Sequence, residues 1–141
     1  MKISVENIDI TNQIQDRAKF NLWISQVAAS YDCKIGQLTY VFCDDEYLHK
    51  INVDHLEHDT YTDIITFDYS TPDVINGEIY VSVDRIKENA SKMGLDYESE
   101  FLRVVIHGVL HLCGYKDKSD EQKLVMREQE EICVSLYLLE K

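Results

Sequence analysis

The chain has 141 residues, enough for one self-sufficient core, and its 26 acidic against 14 basic residues leave a formal net charge of -12. That balance favours solubility, repels nucleic acid at long range and argues against a non-specific nucleic-acid coat protein, which needs a basic surface. The four cysteines, Cys33, Cys43, Cys113 and Cys133, make no CxxC pair, which argues against a Cys-rich zinc knuckle and fits free thiols in a reducing compartment.

In chain order, "KISVENIDI" alternates Ile3 and Val5 with polar residues and predicts a first strand. A helix is expected from Asn12, where Asn12 and Gln15 have capping-box spacing, with Phe20, Trp23, Ile24 and Val27 on one stripe. "QLTYVFC" predicts a second strand with Leu38, Tyr40 and Phe42 on one face, followed by a short helix capped by Asp44 or Asp45 that carries Leu48 and Ile51 inward. "TDIITFDY" is β-branched and aromatic and predicts a third strand, with Ile65 and Phe67 facing one way and Ile64 and Thr66 the other. Asn76-Gly77 reads as a tight turn before a fourth strand, "EIYVSV". Asp84 is expected to cap a helix that Gly94 closes. The stretch from Ser99 to about Cys113, rich in Phe101, Leu102, Val105, Ile106 and Val109, predicts a helix buried on most sides and ended by Gly114. Ser119 and Gln122 form a second capping box, opening a last helix whose packed face is expected at Val125, Gln129, Ile132, Leu136 and Leu139.

About four strands and five helices in this mixed order predict a single α+β domain over residues 1–141, one mixed sheet covered by helices. The opening "MKISVENIDI" has no apolar h-region or cleavage site, and no stretch approaches the roughly 18 apolar residues of a membrane span. A cytoplasmic protein with no membrane partner is therefore expected.

Chemistry concentrates in "HGVLHLCGYKD", residues 107–117. Two histidines four apart on a helix lie one above the other, so His107 and His111 can converge on one ion. Gly114 lets the chain turn back and brings Asp117 within reach as a third ligand; Cys113 and Glu140 are less natural candidates. Two His and one Asp with an open position is the donor set of a catalytic rather than a structural zinc site. Zinc would lower the pKa of a bound water toward about 7. The position after the first His holds Gly108, not the Glu that serves zincin proteases as general base, which disfavours a peptidase and leaves a phosphodiester as a reasonable substrate. The competing reading is a histidine pair that only makes hydrogen bonds.

"HGVLHLCGY" resembles the H-G-x-x-H-L-x-G-Y-D-H signature of the YbeY family, with His107, Gly108, His111, Leu112, Gly114 and Tyr115 in place. Upstream, "HDTYTDIITFDY" resembles that family's D-x-P-T-D-V-L-S-F segment through Asp59, Thr62, Asp63 and Phe67, and "GEIYVS" resembles its G-D-I-x-I-S strand. The resemblance implies a zincin-like α+β layout and a zinc-dependent endoribonuclease. It implies cleavage of single-stranded RNA in ribosomal RNA maturation, at the 3′ end of 16S rRNA, and in ribosome quality control. RNA and ribosomal small-subunit components are the implied partners; a 2′-OH-assisted route would exclude DNA. The metal set becomes His107, His111 and Asp117, with Asp117 where the family carries a third His. That change makes the site harder and other divalent ions more tolerable than in an all-His site. A family Arg falls on Leu56, and His58 or His55 could stand in for it; His107, His111 and His58 are the expected catalytic residues. Arg103 is either a phosphate contact or a surface ion pair. The alternatives are a ribosome-binding factor with a structural metal and little catalysis, and a small metallopeptidase.

Overall fold

The computed structural model describes residues 2–56 and 62–139. Nine elements follow one another: β1 (Lys2–Asn7), α1 (Arg17–Ser30), β2 (Lys34–Cys43), α2 (Asp45–Leu56), β3 (Ile64–Asp68), β4 (Val74–Ser82), α3 (Val83–Met93), α4 (Tyr97–Leu112) and α5 (Asp120–Leu139). The four strands form one sheet in the order β1-β2-β4-β3. β1 and β4 both run parallel to β2, and β3 returns antiparallel to β4 at the open edge. This is the predicted α+β, zincin-like layout: a mixed sheet with helices against it.

Strand alternation sets the two faces of the sheet. Leu38, Tyr40, Phe42, Ile79 and Val81 are buried on the face covered by α1 and α4, and α5 packs on those two helices. Cys43, Leu48 and Ile65 form a smaller cluster, against which Ile51, Phe67 and Tyr80 pack. α4 is the central helix, with Val105, Ile106, Val109 and Leu110 fully buried. Gly108 lets it lie close to the sheet. A Cβ at that position would stand 2.8 Å from Cδ1 of Ile79 and 3.3 Å from Cδ1 of Ile64. The missing zincin glutamate thus has a packing reason, because residue 108 faces the core.

Several expected boundaries move. α1 begins only at Arg17, where Asp16 caps it by accepting from the Lys19 N–H at 3.1 Å. Asn12 instead accepts from the amide of Ile14, closing a local turn ahead of the helix. Asn76 and Gly77 are inside β4, and the chain reverses between Tyr69 and Asp73. Gly77 is demanded there by close approach, since a Cβ would sit 2.6 Å from the Phe67 carbonyl oxygen. Ser82 rather than Asp84 caps α3, while Gly94 closes it in the left-handed conformation at φ 66°, as expected. Asp44 caps α2 through the Tyr47 N–H.

The largest difference is the rotation of α5. The stripe expected to pack is largely exposed: Val125 41%, Ile132 52%, Leu136 51% and Leu139 79%. The face turned inward carries Met126, Glu130 and Cys133, with Tyr137 partly buried beside them. Trp23 fixes this orientation by donating from Nε1 to the Cys133 carbonyl at 2.8 Å. The buried face contains a carboxylate, so an apolar-stripe argument selects the wrong side.

Candidate active site

The C-terminal half of α4, the turn after it and the edge strand β3 enclose an open cleft of about 420 Å³. His107, His111 and Asp117 all line it, opposite Thr62, Asp63, Ile64 and Thr66. The turn is made by Gly114 at φ 104°, a conformation that favours glycine. Cys113 is the C-cap residue of α4 and is packed, partly buried, against the core. Tyr115 packs edge-on against Tyr31, with ring centroids 5.3 Å apart, and does not stand in the cleft.

His107 stands between two carboxylates, and one of them holds it. Its Nδ1 lies 2.6 Å from Oε2 of Glu130, and its Nε2 lies 3.4 Å from Oδ2 of Asp117. His111, one helical turn on, is exposed and lines the same cleft. Among the described residues, no group of three or more His, Cys, Asp or Glu side chains stands close enough together to hold a metal ion. The structure therefore brings His107 and Asp117 together and leaves His111 at the rim.

Behind His107 is a network that sequence reading misses. Arg103, four residues earlier on α4, grips Glu100 with two parallel hydrogen bonds, Nη2 to Oε2 at 2.7 Å and Nε to Oε1 at 2.8 Å. Its third contact is Nη1 to Oε1 of Glu130 at 3.1 Å. Glu100 and Glu130 are 0% and 2% exposed, so this is not a surface ion pair, and the partly exposed guanidinium of Arg103 also lines the cleft beside His107. The signal that could have found Glu130 is an acidic residue flanked at one helical turn by Met126 and Cys133, an inward face with one polar member.

Electrostatics follow from this packing. Burial pushes the Glu130 carboxyl up, but hydrogen bonding from His107 and the charge of Arg103 outweigh it and hold the group below its ordinary range. Burial pulls the His107 imidazole down, and the bond to Glu130 together with the nearby Asp117 reverses that and raises it. Asp63 is raised, chiefly by burial, with Arg103 and His107 acting the other way. Three carboxylates (Glu100, Glu130 and Asp63) lie within 4 Å of the Arg103 guanidinium, Arg127 also reaches Glu130 at 3.8 Å, and a fourth carboxylate, Asp117, lies against His107. The surplus of negative charge suits a cation in the cleft.

Among the described residues, the far wall is the edge strand of the sheet, β3. Ser82 donates to the Asp63 carbonyl and Tyr69 to the Asn76 carbonyl, so alternate residues from Asp63 to Tyr69 bond to β4. The backbone groups of Ile64 and Thr66 therefore point outward, along the cleft. Thr62 takes up one of them, donating from its hydroxyl to the Ile64 carbonyl at 3.4 Å. His55, at the end of α2, sits edge-on to Phe67 and is not among the residues lining this cleft. His58 and Asp59 fall outside the described residues, as does Glu140, and of Leu56 only the backbone is described.

Comparison with known proteins places the chain in a family. The family model described as Endoribonuclease YbeY matches residues 2–137. A Flavobacterium johnsoniae protein named Endoribonuclease YbeY is 44% identical over 135 residues, 96% of this chain and 97% of its own length. A Flavobacterium psychrophilum protein of the same name is 47% identical over 131 residues, 93% of this chain and 94% of its own. A solution structure of a Thermotoga maritima protein superposes with a TM-score of 0.67 at 24% identity, over 97% of this chain and 89% of that one, a likeness of fold. With a family match over nearly the whole chain and near full-length relatives above 40% identity, the chain belongs to the YbeY endoribonuclease family.

Proposed function

We propose that this chain is a cytoplasmic, metal-dependent endoribonuclease that cuts single-stranded RNA, with ribosomal RNA as its substrate and 16S rRNA 3′-end maturation and ribosome quality control as its roles. Residues 1–141 act as one catalytic domain. The family supports the choice of RNA and of small-subunit components as partners. No described helix is long and apolar enough to cross a membrane, in keeping with the proposed compartment.

The observation that carries the reading is the pairing at His107. Two ligands of a tetrahedral zinc with bonds near 2.0–2.1 Å stand about 3.4 Å apart. The Nε2 of His107 and the Oδ2 of Asp117 are separated by 3.4 Å, beyond the usual length of a charge-assisted hydrogen bond. The residues present therefore fit zinc, with His107, Asp117 and His111 as its ligands. His111 is exposed, and the helix spacing lets it turn onto the same ion. A bound divalent ion would neutralise charge on the scissile phosphodiester and make an attacking hydroxyl more acidic.

The remaining roles belong to the protein itself. Glu130 orients His107. The outward amides of Ile64 and Thr66 offer hydrogen bonds to an extended RNA backbone passing along β3. Lys116 and Lys118 flank Asp117 and are exposed, so they lessen the repulsion that an acidic chain exerts on RNA. His58 is proposed to take the place of the family Arg that is Leu56 here.

Cleavage of matched single-stranded RNA and DNA oligonucleotides tests the proposal, using the zinc-loaded protein and His111→Ala with melting temperature followed in parallel. RNA should be cut and DNA spared, and His111→Ala should lose cleavage while keeping most of its thermal stability. A zinc-loaded parent that binds RNA without cutting it would move the chain to the class of ribosome-binding factors.

A further inference from the structure

We infer that Glu130 is a positioning residue that fixes the tautomer of His107 and thereby sets the affinity of the cleft for its metal; this rests on the metal reading above. An imidazole can ligate only through a nitrogen that carries no proton. The carboxylate of Glu130, 2.6 Å from Nδ1, requires a proton on that nitrogen, which leaves the lone pair of Nε2 facing Asp117 and the cleft. Outer partners of this kind are worth roughly 10–100-fold in metal affinity.

Glu130 does not hold His107 by itself. Its other oxygen accepts from Arg103, and Arg103 is locked in turn by its two bonds to Glu100, a residue with no exposed surface. The chain Glu100–Arg103–Glu130–His107 joins a helix that carries the site to one that does not. It also explains why an acidic residue stands on the buried face of α5. A hydrophobic residue there would pack at lower cost but would leave both His107 Nδ1 and Arg103 Nη1 without their acceptor.

The arrangement makes Glu130→Gln a sharp test. A carboxamide has one oxygen, and the charged Arg103 competes for it more strongly than a neutral imidazole does. The amide nitrogen then faces Nδ1 and donates to it, so the proton of His107 moves to Nε2 and the ligating nitrogen is lost. Because Arg103 keeps Glu100 and the side chain is isosteric, the fold should survive the change.

The experiment has two readouts. The first is the His107 tautomer, read by long-range nitrogen–proton NMR on metal-free protein at alkaline pH, where the ring is neutral. The parent should show the proton on Nδ1, and Glu130→Gln should show it on Nε2. The second is the zinc dissociation constant, measured by competition with a chromophoric chelator, which should weaken at least about 10-fold in Glu130→Gln. A parent with the proton on Nε2 would overturn the inference without any variant, as would a variant that keeps the parental tautomer or binds zinc within twofold of the parent. If the parent shows the expected tautomer but takes up no zinc, the metal reading fails, and the claim that Glu130 sets metal affinity fails with it. The tautomer result then stands as a separate property of the fold.

Discussion

His107 on α4 and Glu130 on α5 meet at 2.6 Å, and that contact couples the most chemically loaded helix of the fold to the terminal helix. It is stabilised by a guanidinium that shares its charge between two carboxylates, both withdrawn from solvent. The consequences can be tested one residue at a time.

Glu100 should be the most costly of the network to remove. Breaking a buried, hydrogen-bonded ion pair by deleting one partner costs about 3–5 kcal/mol. Glu100→Ala strips Arg103 of its two shortest bonds, and urea unfolding should show an unfolding free energy lowered by that amount, as a lower midpoint with the slope unchanged. A loss below about 1 kcal/mol, the scale of an exposed pair, would show that the pair is not desolvated in solution.

Gly108 sets a competition between helix propensity and packing. Alanine gains about 1 kcal/mol over glycine in a helix interior, while overpacking a filled core costs about 1–3 kcal/mol. With Ile79 fully buried and two of its carbons within 3.1 Å of the new Cβ, packing should win. Gly108→Ala is expected to lose about 1 kcal/mol in the same unfolding assay. A gain in stability would show that α4 can lift off the sheet at little cost.

Asp63 supplies a pH dependence. Its carboxyl is raised in the folded state, mainly by burial, so ionising it there costs folding free energy. The contribution is fully favourable below the unfolded-chain value and is lost as pH rises through the raised one. Asp63→Asn keeps an acceptor for Asn89, which donates to Asp63 at 3.3 Å, and removes the titration. In metal-free protein the stability of the variant relative to the parent should therefore improve as pH rises through the acid range and level off above it. A relative stability that falls with rising pH would reverse the sign assigned to Asp63.

Much of this was open to reading in the sequence, and the parts that were not share a cause. The order of nine elements, the buried α4, the Ser119–Gln122 capping box and the His107–His111–Asp117 grouping around one cleft all rest on local periodicity or short spacing. The capping box is reciprocal in the structure, with Ser119 and Gln122 each accepting from the other's amide. The Asn76-Gly77 turn failed because glycine serves two needs, and here close approach to the Phe67 carbonyl outranks turning. The inward face of α5 and the roles of Glu100 and Glu130 were hidden for a different reason. A buried carboxylate looks like surface until its partner is known, and Arg103 and Glu130 are brought together only by tertiary packing.

Metal content tests the central claim most directly. The parent and Asp117→Ala, purified side by side and offered zinc, should differ on elemental analysis: about one zinc per chain in the parent and much less in the variant. A well-folded parent that takes up no divalent metal would contradict the account and return the histidine pair to a role in hydrogen bonding alone.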